Sequence, residues 1–198
     1  MDNQALELAE DTWNWMICCV RPSTSIWHPI RNTHRRSNAS TNVKKLDCLL
    51  GIKTHTAPSL IVETGDFSRF AKGNTYAAFL ALAPGESSSG TKIQRSGISK
   101  AGNSHLRTLL IEGAKGICKG QIGHKSKELR CRQDGNTADV IAYADRANTR
   151  LRSKYYRMIR HGKKRNVAVA AVARELACFV WAMMTGTIAF REAGKKAA

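Results

Sequence analysis

The residues most able to do chemistry lie between positions 67 and 107, in the run FSRFAKGNTYAAFLALAPGESSSGTKIQRSGISKAGNSHLR. Three serines, Ser87 to Ser89, precede Gly90, and a second stretch of small and basic residues leads to a helix start at Asn103 or Ser104. Small residues let a backbone approach a phosphate closely, and basic residues neutralise its charge. A serine in such a segment can act as a nucleophile, although the same composition also suits a flexible turn.

Other reactive residues near this run give no fixed pattern. No Ser-His-Asp spacing indicates a hydrolase. Three carboxylates are near enough in sequence to hold a metal, although the first two also suit a helix end and a turn: Glu63, Asp66 and Glu86. The trio Cys118, His124 and Cys131 fits no zinc spacing. We therefore predict no metal site and no cofactor in this chain.

The charge is high and unevenly distributed, with a formal net charge of +17. Residues 1–90 carry 9 basic and 8 acidic residues, whereas residues 91–198 carry 23 and 7. A half this basic attracts polyanions, and nucleic acid is the leading candidate. An anionic membrane surface is the weaker alternative, because no aromatic face accompanies the basic residues.

Cysteine usage and hydropathy indicate the compartment. The six cysteines lack regular spacing and the first residues are acidic, so we expect reduced thiols in a cytoplasmic, nucleoid-associated protein. The apolar stretch 167–184 is long enough to suggest a membrane span. Arg174 and Glu175 lie at its centre, where charges are costly in lipid, so we predict a buried core helix and no membrane contact.

Helical patterns dominate and strand signals are nearly absent, so the sequence predicts an all-α fold. Residues 1–43 hold three of the four tryptophans but no lasting period, and we interpret them as a loose, poorly ordered arm with a candidate helix at 2–20. A compact helical domain is predicted over 44–190, followed by a basic tail at 191–198.

The predicted domain begins with two helices joined by a turn at Gly51 and Ile52. Thr54 is the predicted N-cap of the second helix, which carries Pro58 in its first turn and ends near residue 63. This outline is that of a helix-hairpin-helix, whose turn amides can contact a DNA phosphate, and a plain packing hairpin is an equal alternative. A third helix is predicted over 75–83, closed by a Pro-Gly pair.

A long helix is predicted from Asn136 or Thr137 to Gly162, with an apolar and a basic face. Four residues of the basic face are predicted phosphate contacts, although cations near a helix C-terminus also suit its dipole: Arg146, Arg150, Lys154 and Arg157. The predicted core comprises Leu106, Leu110, Leu151, Tyr155, Leu176, Phe179 and Val180.

Several separate motifs between residues 46 and 184 resemble the C-terminal half of the Piv and IS110 type of insertion-sequence transposases. They are Leu-Gly-Ile at 50–52, Glu-Thr-Gly-Asp-Phe at 63–67, Phe-Leu-Ala-Leu-Ala-Pro at 79–84, Ser-Gly at 89–90, Gly-Ile-Ser-Lys-Ala-Gly-Asn at 97–103, Leu-Arg at 106–107 and Gly-His-Lys-Ser at 123–126. Pro58 and Ala81 depart from the pattern, since the family more often has a glycine at the second position.

The resemblance implies specific roles. Ser89, directly before the glycine, would attack a DNA phosphodiester and hold a phosphoserine intermediate. Four cations near it in sequence could stabilise the transition state: Lys92, Arg95, Lys100 and Arg107. The resemblance also implies magnesium held by four acids of an N-terminal RuvC-like domain, a bridge RNA as guide, and a homo-oligomer.

Residues 1–43 are too short for a RuvC-like domain and show no alternating strands. We therefore expect a truncated copy of a transposase that binds DNA and keeps the serine but is inactive alone. Two alternatives remain open at this stage: a non-catalytic DNA- or RNA-binding module, and an inert transposon remnant.

Overall fold

The structure, a computed structural model, describes residues 33–86 and 95–188, with side chains described for 40–85 and 97–188. The helices in these ranges are α1 (Thr33–Asp47), α2 (Thr56–Thr64), α3 (Gly73–Phe79), α4 (Ser104–Cys118), α5 (Lys127–Gln133), α6 (Ala138–Arg160) and α7 (Arg165–Met184). The strands β1 (Pro84–Glu86) and β2 (Arg95–Ile98) form one small sheet. The predicted all-α class is confirmed, with this two-stranded sheet as an addition.

Most of the predicted N-terminal arm lies outside the described residues, which begin at residue 33. The candidate helix at 2–20 and the basic tail lie outside the described residues. Residues 33–43, which the sequence analysis left without an element, form the first part of α1. The described residues from His34 onward belong to one compact unit.

Helix α7 lies at the centre of the core and packs against α3, α4 and α6. By length and composition it could span a membrane, but it uses its apolar residues to join three other helices, as expected of a core helix. Six of the seven predicted core residues are buried. Phe179 is half-buried at the edge of the core, where its ring contacts Tyr143.

The glycine turn between α1 and α2 packs tightly against α4. Gly51 has a φ of 93°, and a Cβ on Gly113 of α4 would lie 2.4 Å from its carbonyl oxygen. Arg132 of α5 donates from Nη1 to the carbonyls of Asp47 and Ile52, at 3.2 and 2.7 Å. Two helices joined by a glycine turn are therefore present, as predicted, and the turn packs against α4.

The N-cap of α2 and the bounds of α3 differ from the sequence-based predictions. The N-cap of α2 is His55, without a side-chain hydrogen bond, so the prediction of Thr54 was wrong. Helix α3 spans Gly73–Phe79 rather than 75–83, because Ala81 adopts a φ of 55° that a right-handed helix cannot continue. That left-handed conformation is one that glycine adopts without steric cost.

The polypeptide after α3 forms an antiparallel pair of strands. Pro84 opens β1 and pairs with Ile98 of β2, so it does not simply close a helix. Gly102 then follows at a φ of 152°, and a Cβ there would lie 2.4 Å from the carbonyl oxygen of Phe79. The chain between β2 and α4 is thus held against the end of α3.

Arg152 of α6 holds the connection between α4 and α5. It is buried on the apolar side of α6 and donates to three carbonyls: Nε to Ile117 at 3.2 Å, and Nη1 to Gln121 at 2.5 Å and His124 at 2.6 Å. Burial lowers the pKa of its guanidinium. A Cβ on Gly120 would overlap this guanidinium, so a larger residue there would displace Arg152 from its carbonyl partners.

Candidate nucleic-acid interface

Ser89 and Lys92, the predicted nucleophile and its nearest cation, lie outside the described residues. Arg95 lies on β2, and its side chain is outside the described part as well. β1 and β2 are antiparallel, with Pro84 opposite Ile98. Ser89 therefore belongs to the segment that joins two antiparallel strands, whereas the sequence analysis expected helices on either side of it.

Lys100 and Arg107 are brought together at the start of α4. Arg107 Nη1 donates to the carbonyl of Lys100 at 3.2 Å, and Lys100 itself adopts a φ of 58°. Asn103 caps the helix by accepting from the Leu106 N–H at 3.0 Å, which decides between the two predicted caps. The predicted pair of cations thus flanks a well-formed helix N-terminus.

Glu63 has a structural task at this same place. Its Oε2 accepts a hydrogen bond of 2.7 Å from Asn103 Nδ2, and its Oε1 is paired with His105 Nδ1. The end of α2 is thereby joined to the start of α4. Two of the motifs that carry the family resemblance, at 63–67 and 97–103, meet in these contacts.

Residues able to hold magnesium do not come together in the described ranges. No group of three or more His, Cys, Asp or Glu side chains in 40–85 and 97–188 could hold a metal ion. Asp66 instead accepts hydrogen bonds from the hydroxyl and the backbone N–H of Ser68, which lower its pKa. Asp66 and Glu63 thus make hydrogen bonds within the fold, and the side chain of Glu86, the third carboxylate of the predicted trio, lies outside the described part.

The predicted basic residues of α6 are exposed or half-exposed, but part of their positive charge is neutralised by a carboxylate. Arg146, Arg150 and Arg157 are exposed and Lys154 is half-exposed. Arg150 Nε is paired with Glu175 Oε1 on α7, and Lys154 Nζ lies 2.7 Å from Glu175 Oε2. The middle of this face therefore stabilises the contact between α6 and α7.

The same pairing sets the charge of Glu175. Burial raises its pKa, but hydrogen bonds from Lys154 and Arg150, together with their charges, outweigh burial and lower it overall. Glu175 is therefore ionised at neutral pH. A phosphate approaching Arg150 or Lys154 would compete with this carboxylate.

A second group of cations lies where α6 ends and α7 begins. Gly162, with a φ of 71°, reverses the chain there. Four exposed side chains around it, here named the basic corner, have no acidic partner in the described structure: Arg157, Arg160, Lys163 and Lys164. Only Arg157 was predicted from the sequence. Arg160 lies within α6 but outside the predicted basic stripe, and Lys163 and Lys164 lie past the end of the helix. The Gly-Lys-Lys-Arg run at 162–165 was the available signal.

The two sets of predicted contacts lie on different elements of the described structure. Lys100 and Arg107 lie just before and within the first turn of α4, whereas Lys154 and Arg157 lie on α6. Lys154 Nζ reaches the carbonyl of Ala171 at 3.3 Å, in addition to its carboxylate partner. The structure thus presents one basic group at the α4 N-terminus and another along α6 and its corner.

The motif Gly-His-Lys-Ser at 123–126 also has a structural explanation. The His124 carbonyl accepts from Arg152, and Lys125 Nζ lies 2.9 Å from Asp145 Oδ2 on α6. Ser126 caps α5 by accepting from the Leu129 N–H at 3.2 Å. This motif therefore fixes the path of the chain into α5.

Comparison with known proteins finds similarity to transposases, both in a family model and in individual relatives. Residues 43–129 match the model of the Transposase IS116/IS110/IS902 family. Over 138 residues, or 70% of the chain, it is 39% identical to a Sinorhizobium fredii protein named "Putative transposase y4qE", of which this covers 35%. It is 27% identical over 155 residues, or 78% of the chain, to the transposase for insertion sequence element IS1111A of Coxiella burnetii, of which this covers 36%.

The chain spans about a third of the length of the curated relatives it matches. The family match includes α2 to α4, both strands and the segment that contains Ser89. It also includes the contacts of Glu63 with Asn103 and His105 described above. Residues 43–129 are thus similar to a domain of the Transposase IS116/IS110/IS902 family.

Proposed function

We propose that this chain supplies the nucleic-acid-binding, serine-bearing part of an insertion-sequence transposase. The observation that carries the proposal is the basic corner, four exposed cations that no carboxylate neutralises in the described residues. Unpaired cations on a helix end bind phosphates and release counterions when they do so. Arg146, which is also exposed, lies on the same face of α6 as Arg157 by helical spacing.

The nucleophile of the proposal is Ser89, assigned from the family resemblance. A serine hydroxyl needs activation and stabilisation of the charge that develops on phosphate. Lys100 and Arg107, close together at the start of α4, and Lys92 and Arg95 are the proposed stabilising cations. Activation by magnesium would come from the RuvC-like domain of the family, so this chain alone is proposed to perform no strand transfer.

The partners of the proposed function are DNA and, by the same resemblance, a bridge RNA. Contacts from the basic corner go to the backbone, so they favour any duplex and carry little sequence information. Guidance to a target would then come from base pairing by the RNA. Assembly into a homo-oligomer would bring two copies of the serine to two strands.

A salt titration of duplex binding tests the proposal. The corner variant replaces Arg157, Arg160, Lys163 and Lys164 with Gln. Each phosphate contact contributes about 0.9 to the slope of log affinity against log salt, so the slope should fall by up to about 3–4. Gel shifts at four salt concentrations measure both slopes.

A matched control removes the same amount of charge elsewhere. It replaces four exposed lysines outside α6 and α7 with Gln: Lys44, Lys53, Lys72 and Lys127. The control should keep most of the wild-type slope, because net charge alone acts weakly at physiological salt. Equal losses in the two variants would show that binding follows net charge, and the assigned surface would then be wrong.

A further inference from the structure

A cavity of about 420 Å³ opens beside the basic face of α6, lined by residues of α3, α6 and α7. Three cations line part of it, Arg150, Lys154 and Arg174, together with the carboxylate of Glu175. Its volume lies in the range of about 300–1,000 Å³ that is typical of sites for small molecules. The lining combines positive charge with aromatic surface, which suits a ligand that is both flat and anionic.

The three cations are not equally available. Both carboxylate oxygens of Glu175 are already used, one by Arg150 and the other by Lys154. Arg174 has no acidic partner in the described residues, and its single hydrogen bond runs 3.4 Å from Nη2 to Asn74 Oδ1. A planar guanidinium held only by a neutral amide remains free to bind a phosphate. Arg174 is therefore the cation of this cavity that is most available to an anion.

Asn74 offers a second polar contact at the same wall. Its Oδ1 accepts from Arg174 and, at 3.8 Å, from the thiol of Cys178. Its amide nitrogen makes no hydrogen bond in the described structure. That nitrogen can donate either to a phosphate oxygen or to the edge of a base.

Aromatic rings form the rest of the lining. Tyr143 and Phe179 lie with ring centres 5.5 Å apart and planes at 69°, and Phe179 is half-buried. Burial raises the pKa of Tyr143 to about 12, so its hydroxyl stays protonated. This hydroxyl also lacks a hydrogen-bond partner in the described residues. Tyr143 itself is buried, with the Arg146 guanidinium 5.8 Å from its ring centre, so the half-buried ring of Phe179 offers the stacking surface. An inserted base would thus find this ring to stack on and the Tyr143 hydroxyl as a donor nearby.

We infer that this cavity holds one unstacked nucleotide of a DNA strand, with its base against Phe179 and Tyr143 and its phosphate on Arg174. The inference rests on the proposed function and deepens it, since it names a substrate feature read by the same face of the protein. Bases of a paired duplex stay inside the stack and cannot enter such a cavity. The site therefore distinguishes DNA with an unpaired nucleotide from fully paired DNA.

Two hairpin DNAs test this inference on the full chain, one fully paired and one with a single extrahelical adenine. Fluorescence anisotropy at fixed salt should show about tenfold tighter binding of the bulged hairpin, because its unpaired base stacks on the ring only while its phosphate is held by Arg174. Arg174→Gln should abolish that advantage while leaving the paired hairpin within about twofold. Arg157→Gln in the basic corner, which removes the same charge, should weaken both hairpins equally.

The outcomes of this experiment distinguish the nucleotide site from the proposed function. Equal binding of the two hairpins by the wild type, or equal losses on both in Arg174→Gln, would overturn the nucleotide site and leave the proposed function standing. No salt-dependent binding of either hairpin would overturn both. Saturation by free AMP at micromolar concentration, without preference for the bulge, would overturn the assignment to a strand. Asn74→Ala, expected to lose part of the advantage, keeps the test valid if Arg174→Gln does not fold.

Discussion

Substitution of Gly113 by alanine tests the packing of the glycine turn in the fold. A Cβ at this position would lie 2.4 Å from the carbonyl oxygen of Gly51 and 3.1 Å from its carbonyl carbon. Both partners are backbone atoms, so no side chain can rotate away. The two helices joined by the turn, or α4 itself, must move instead.

The expected magnitude follows from two opposing effects. Alanine is favoured over glycine inside a helix by about 1 kcal/mol. Overpacking a tight contact costs about 1–3 kcal/mol, and two rigid partners place this case near 3. Gly113→Ala should therefore destabilise the fold by about 2 kcal/mol. Gly116, one turn further along α4, has no atom within 4 Å of a built Cβ, so Gly116→Ala should stabilise by about 1 kcal/mol.

Urea unfolding followed by circular dichroism measures this difference. The two variants change the same residue type in the same helix, and their free energies of unfolding should differ by about 3 kcal/mol. If Gly113→Ala proved as stable as Gly116→Ala, the close approach of α4 to the turn would be refuted. The turn would then be free to present its amides to DNA, as in a helix-hairpin-helix.

Three further predictions concern buried charges and the serine. Because the pKa of Glu175 is lowered in the folded state, its contribution to stability is present above the unfolded pKa and is lost as the pH falls through the folded pKa. Glu175→Gln should lower the free energy of unfolding by about 2 kcal/mol at pH 7 and should flatten the acid branch of the stability curve in urea titrations. It should also raise duplex affinity, because Arg150 and Lys154 lose their carboxylate partner. An unchanged acid branch would contradict the assignment. Arg152→Met should lower the free energy of unfolding in urea by about 3 kcal/mol, because three carbonyls lose their donor. Arg157→Met on the exposed face should change it by no more than about 0.5 kcal/mol. Similar losses in both variants would show that Arg152 does not hold the connection between α4 and α5. The third experiment supplies a family RuvC-like domain, magnesium and RNA in trans, and we expect a covalent protein–DNA adduct on denaturing gels. The adduct should vanish in Ser89→Ala and persist in Ser88→Ala. Its survival in Ser89→Ala would refute the serine assignment.

Features set by local sequence were predictable. The period of α6 separates its apolar from its basic face, and the positions of Val140, Ala144 and Leu151 in the core follow directly from it. Asn103 was one of two predicted caps, and its side chain does accept from the third residue of the helix. The central place of α7 followed from its apolar composition and the charges in its middle.

Features set by long-range contacts were not predictable in the same way. Nothing in the neighbourhood of Glu175 reveals that it meets Arg150 and Lys154 from another helix and neutralises them. Arg152 looks like one more cation of a basic helix until the fold brings three carbonyls to it. Only Arg157 of the basic corner was predicted, since Arg160 lies outside the predicted stripe and Lys163 and Lys164 lie past the end of α6.

Lysine footprinting tests most directly whether the basic corner binds nucleic acid. The chain is acetylated briefly with and without saturating duplex DNA, and the modification of each lysine is measured by mass spectrometry. Lys163 and Lys164 should be protected several-fold, because phosphates cover their amino groups, while exposed Lys44 and Lys127 should react as before. Unchanged reactivity at Lys163 and Lys164 under saturating DNA would contradict the account.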